Sequence, residues 1–119
     1  MTTITNKIFA QISPDPDTVT TLYTVPANSQ AKGTIYISGS RETHEHDIIS
    51  VGLVPSTYFN NSVPVTVPTG NTWIMNSTDF YGTVPIYLQQ ICLNQGDTIS
   101  VKSVNGNSQF TYLGDLFSN

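Results

Sequence analysis

No window of a dozen residues in this chain carries an apolar stripe at helical spacing; a Pro, a Gly or a β-branched cluster interrupts every one. A chain without that periodicity has to bury its apolar groups through the two-residue alternation of strands, which confines it to an all-β fold. Strand-like runs recur along it: Thr20 to Val25, Gly33 to Ser38, Asp47 to Val54, Thr83 to Leu93, Asp97 to Val104 and Ser108 to Leu113. Turn residues separate nearly all of them. With no helices between the strands, the pattern predicts an antiparallel β-sandwich or jelly roll and not a parallel α/β sheet.

At 119 residues the chain suits one domain and falls short of two cores. Ser13-Pro14-Asp15-Pro16-Asp17 breaks regular structure, so residues 1–13 are expected to form an N-terminal arm or an added strand and residues 14–119 the β-sandwich domain. Between Pro55 and Gly82, the residues Pro64, Pro68 and Gly70 predict long loops with short strands at Val63 to Val67 and Thr72 to Asn76. Pro26 ends the strand before it, having no N–H and pushing its predecessor to extended geometry. Asn94-Gln95-Gly96-Asp97 predicts a turn with its glycine free to take positive φ. Asn105-Gly106, between two strand-like runs, predicts a type I′ hairpin joining them.

Strict alternation through Thr83 to Leu93 puts Ile86, Leu88 and Cys92 on one face and Tyr87, Gln89, Ile91 and Leu93 on the other. Both faces are then partly apolar, as in a central strand or one whose outer face meets a neighbouring subunit. Pro85 places the start of this strand at an edge or a bulge. Cys92 is the single cysteine, so no internal disulfide is possible, and its apolar neighbours Ile91 and Leu93 suit a small buried side chain better than a nucleophile.

Charged residues make up 10% of the chain, against about 25% in a typical soluble domain. The formal net charge of −4 argues against nucleic-acid binding, which needs cationic side chains to displace phosphate counterions. The N-terminal stretch lacks the apolar run of a signal peptide and no stretch is apolar enough to span a membrane, so the chain is expected to be soluble and to fold in a cytoplasm.

The segment Arg41-Glu42-Thr43-His44-Glu45-His46-Asp47 holds both histidines of the chain and three carboxylates. If it is extended, Glu42, His44 and His46 share a face, and two imidazoles with a carboxylate suit Zn²⁺ or Fe²⁺ given a further ligand such as Asp79 or Asp97. The sequence shows no spaced third partner, and we read the segment as the charged tip of a loop; no metal, cofactor or catalytic residue is assigned. No serine sits in a Gly-x-Ser-x-Gly turn and no spacing selects a carboxylate pair, so no enzyme is expected. Tyr58, Phe59, Trp73, Phe80 and Tyr81 gather in the loop-rich middle; aromatics there cap a core or stack on sugars.

Thr21-Leu22-Tyr23-Thr24-Val25-Pro26-Ala27 followed by Gly33-Thr34-Ile35-Tyr36-Ile37, then Ile49-Ser50-Val51-Gly52-Leu53-Val54 and the run Ile91 to Val101 containing Gly96-Asp97, occur in an order that resembles a family of small virion structural proteins of tailed bacteriophages, known among cyanophages. The resemblance covers Thr20 to Gly114 and departs from the family where a Cys-Asn-Arg type turn is replaced by Ser38-Gly39-Ser40-Arg41. It implies a protein of the virion that decorates the capsid or builds part of a tail or fibre. Its partners would be other virion proteins and copies of itself, a trimer first, with neither nucleic acid nor membrane. A carbohydrate-binding module using Trp73 and Tyr81 is the alternative.

Overall fold

The computed structural model describes residues 2–39, 46–54, 59–60, 63–64, 73–81 and 85–118. Among the described residues ten strands follow one another: β1 (Thr3–Ile12), β2 (Thr20–Thr24), β3 (Ser29–Gly39), β4 (Asp47–Val54), β5 (Phe59–Asn60), β6 (Val63–Pro64), β7 (Trp73–Phe80), β8 (Ile86–Leu93), β9 (Thr98–Ser103) and β10 (Ser108–Ser118). Eight of them form two four-stranded antiparallel sheets, β1-β10-β3-β8 and β2-β9-β4-β7, while β5 and β6 form a separate two-stranded pair. First pairs with last, second with second-last, and so inward to β4 with β7, which is the connectivity of a jelly roll. The expected all-β sandwich is the fold observed. Residues 40–45, 55–58, 65–72 and 82–84 lie outside the described residues, and with them much of the expected short strands and the start of the Thr83 run.

The core lies between the sheets. Alternation sends Ile35 and Ile37 of β3 and Phe110 and Tyr112 of β10 inward from the first sheet, to meet Ile49 and Val51 of β4 and Ile99 and Val101 of β9, all fully buried. Phe9 rivets the edge strand β1 to this core: its ring stacks on Tyr112 at 4.7 Å and meets Tyr23 at 5.0 Å. The Tyr112 hydroxyl donates to the Ile91 carbonyl at 2.8 Å, tying β10 to β8 across β3. Pro26 follows the end of β2 as expected, and Gly96 takes φ 82° in a turn closed by the Asp97 N–H on the Asn94 carbonyl.

Two local readings are corrected. Asn105-Gly106 does not make a hairpin, because β9 and β10 belong to different sheets and do not pair. Gly106 takes φ 72° while Asn105 does not take positive φ, so the turn lacks the type I′ geometry and carries the chain across the sandwich. A Cβ on Gly106 would meet Pro16 Cγ at 2.8 Å, since the crossover between β1 and β2 packs against it.

The second correction concerns β8. Ile91 pairs with Gly33 and Leu88 with Ile35, so one extra residue is inserted at Gln89-Gln90, where Gln90 has φ 59°. A bulge inverts the alternation beyond it. Ile86, Leu88, Ile91 and Leu93 therefore all turn toward the core, and Tyr87, Gln89 and Cys92 face outward. Cys92 is exposed, not buried, and the strand has one apolar face where strict alternation gives it two. Pro85 immediately precedes β8, which is the edge strand that the proline implied.

Candidate functional site

Two places combine exposure with chemistry: the end of the sandwich where β4 begins, and the outer face of the first sheet. At the first, His46 immediately precedes β4 and Asp79 lies near the end of β7, its paired neighbour. The strand register therefore brings the residues together, and the imidazole Nε2–H donates to Asp79 Oδ1 at 2.8 Å. The Tyr81 ring lies 4.8 Å from the imidazole and is 55% exposed. The His46 carbonyl accepts from the side-chain amides of Asn105 at 3.0 Å and Asn107 at 3.4 Å, which fixes the backbone at this rim.

Asp47, next in sequence, has the opposite character. Its carboxylate is fully buried. Oδ1 accepts from the backbone N–H groups of Ile48 at 2.8 Å and Asn105 at 2.9 Å; Oδ2 accepts from the Asn107 N–H at 3.2 Å and from the hydroxyls of Ser103 and Ser108. Burial by itself would raise its pKa, and the hydrogen bonds from Ser103, Ser108, Asn105 and Ile48 outweigh that, holding the carboxyl below its ordinary value. Among the described residues it has no cationic partner. The charge is instead solvated by the β9–β10 crossover, which wraps around it, so Asp47 fastens the turn that a hairpin would otherwise have closed.

The charged-loop reading thus divides. His46 and Asp79 are at the surface; Asp47 is structural. Asp79 reaches His46 as considered for a metal site, but Asp97 lies in the turn at the far end of β9, where its carboxylate accepts from the Asn94 N–H at 2.9 Å. Among the described residues no three His, Cys, Asp or Glu side chains converge on a point that can hold a metal. His44 and Glu42 lie outside the described residues. Of the aromatic cluster, Phe80 is a core residue and Tyr81 is exposed. Tyr58 is outside the described residues; Phe59 and Trp73 lie on β5 and β7.

The outer face of the first sheet is the second place. Register aligns Ile4 with Phe117, Asn6 with Asp115 and Lys32, Ile8 with Leu113, and Tyr36 with Tyr87, whose rings are 4.9 Å apart. Ile4, Ile8, Leu113 and Tyr87 are exposed, so apolar rows alternate with one polar row across an open sheet face. By contrast Ser50, Gly52 and Ser100, on the outer side of β4 and β9, are buried.

No protein-family model, no curated protein and no solved structure matches this chain. Among the described residues no helix is long and apolar enough to cross a membrane. An open depression of about 470 Å³ beside Asn28, Gln30, Asn94, Gln95 and Phe117 is lined by amides, hydroxyls and the Phe117 ring, with no titratable side chain among the described residues of its walls.

Proposed function

We propose that this chain is a minor structural protein of a tailed-phage virion, one that decorates the capsid or builds part of a tail or fibre and acts only through protein–protein contacts. The observation that carries the reading is the uncovered apolar face of the first sheet on a jelly roll with very little surface charge, a surface suited to sheet-to-sheet or edge contacts with neighbours. The resemblance supports it. The segments that carry it fall on β2, on β3, on β4 and on the β8-turn-β9 unit, so they are segments that build the sandwich. Jelly rolls serve many purposes, viral capsid domains and lectins among them, and fold by itself does not choose between these.

Mass spectrometry of gradient-purified particles of the virus encoding the chain tests the reading. Peptides of this chain are expected in the particle fraction, at a constant ratio to the major capsid protein across the gradient. Their confinement to the soluble fraction of the lysate refutes it.

One observation favours the carbohydrate alternative: Tyr81 presents an exposed ring beside the polar groups of His46 and Asp79, the combination of stacking surface and hydrogen-bonding groups that sugars need. A glycan array separates the two readings. A contact protein gives no array signal, whereas a sugar-binding module gives one that Tyr81→Ala or Trp73→Ala removes.

A further inference from the structure

A sandwich has four edge strands, and each exposes a row of unpaired N–H and C=O groups that invites another strand unless something blunts it. Three of the four are blunted here. β2 is five residues long, shifts register between Thr21 and Tyr23, and runs into Pro26 within two residues of its end. β7 is interrupted by two register shifts against β4, with Ser77 at φ 49°. β8 has Pro85 just before it and the Gln89-Gln90 bulge within it. Among the described edge strands β1 alone offers a regular stretch: Thr3 to Ile8 pair one to one with Ser118 to Leu113, and the shift of β1 comes only after Ile8. Every residue of that stretch is exposed, with Ile4 at 62% and Ile8 at 65%.

We propose that the free edge of β1 over Thr3–Ile8 pairs antiparallel with the same edge of a second copy about a two-fold axis at Asn6, joining the two first sheets into one eight-stranded sheet. The segment Ile4-Thr5-Asn6-Lys7-Ile8 is close to palindromic in character. Centred on Asn6, the pairing sets Ile4 opposite the partner's Ile8 and Ile8 opposite the partner's Ile4, on the outer face where Phe117 and Leu113 already flank them. Lys7 then faces the partner's Thr5. Centring on Lys7 would oppose the two lysines, and centring on Thr5 would leave each Ile4 facing an Asn6. Residues paired in this register differ by an even number of positions, so their outward N–H and C=O groups are in phase. The contact is isologous, as a two-fold requires. It goes beyond the virion reading and stands whether or not the chain is carried in a particle; it makes a pair, where the resemblance implied a trimer, the first step of self-association.

Sedimentation of the full chain over a concentration series tests this, with thermal melts confirming that each variant is folded. The wild type is expected to show a monomer–dimer equilibrium. I4K/I8K puts lysine opposite lysine at both ends and should weaken the dimer by about tenfold or more, while I4K/I8E puts lysine opposite glutamate and should retain it. In a Cys92→Ser background, Asn6→Cys should form an intermolecular disulfide on mild oxidation and Thr3→Cys should not, because only residue 6 lies on the axis. A wild type that is monomeric throughout overturns the proposal. So do a dimer that survives I4K/I8K, equal loss in both double variants, and equal cross-linking at residues 3 and 6.

Discussion

Asp47→Asn is expected to lower the midpoint of thermal unfolding at neutral pH by about 10 °C, corresponding to about 3 kcal/mol. Two of the donors around this carboxylate are serine hydroxyls, which can rotate to accept from an amide. The N–H groups of Ile48, Asn105 and Asn107 cannot, and a neutral amide offers them one oxygen and an opposing NH₂. The loss should appear first as faster hydrogen exchange over residues 104–107. It also has a pH signature whose sign follows from the depressed pKa. The folded carboxyl is held below the ordinary 3.8, so the unfolded chain takes up the proton first. The stability contributed by Asp47 is complete above the unfolded pKa and is lost as pH falls through the folded one. Wild type and variant should therefore converge in stability as pH falls below the ordinary 3.8, and a gap that stays constant as pH falls through the acid range would contradict the assignment.

Gly114→Ala, and Gly33→Ala independently, should cost about 3 kcal/mol each. The two glycines face each other across β10 and β3. A Cβ on Gly33 would lie 2.0 Å from the Leu113 carbonyl oxygen, and one on Gly114 would lie 2.2 Å from that of Lys32. Both obstacles are backbone in the centre of a sheet, so neither can swing aside as a side chain would. The strands must separate locally, and hydrogen exchange should rise at Asp115–Ser118 and Ser29–Lys32, beyond the pair. Unchanged melting temperatures in both variants would show that the backbones approach less closely than described.

These glycines also mark where local sequence stops specifying the strands. β3 runs Ser29–Gly39 and β10 runs Ser108–Ser118, yet the strand-like runs were expected to begin at Gly33 and to end at Leu113. A glycine reads locally as punctuation, and nothing near either one reveals that the other will lie beside it. β4 was legible to the residue, as Asp47–Val54, because Ile48, Ile49, Val51, Leu53 and Val54 make a short run rich in β-branched residues that Pro55 closes. Gly96 and Pro26 were legible because the backbone conformation each imposes is local.

What failed was long-range. The Asn-Gly pair indicates a reversal but not which sheet receives the next strand, and the bulge at Gln89-Gln90 leaves no local mark, so Cys92 was assigned the wrong face. Asp47 continues a charged run in the sequence, and the serines that identify it as buried stand 56 and 61 positions further on. Asp79 could be considered beside His46 but not placed there, since only the β4–β7 register brings them together. A second apolar face was anticipated on the Thr83 to Leu93 run for a reason that the bulge removes; of that run Tyr87 does face outward, and the other exposed apolar residues of the first sheet, Ile4, Ile8 and Leu113, lie on β1 and β10.

Electron cryomicroscopy of the intact particle is the most direct test of the account. It predicts a jelly roll of this size seated on the capsid, tail or fibre, with Ile4, Ile8, Leu113 and Tyr87 buried against a neighbouring chain. Particles without such density, or density in which that sheet face is turned to solvent and makes no contact, would contradict it.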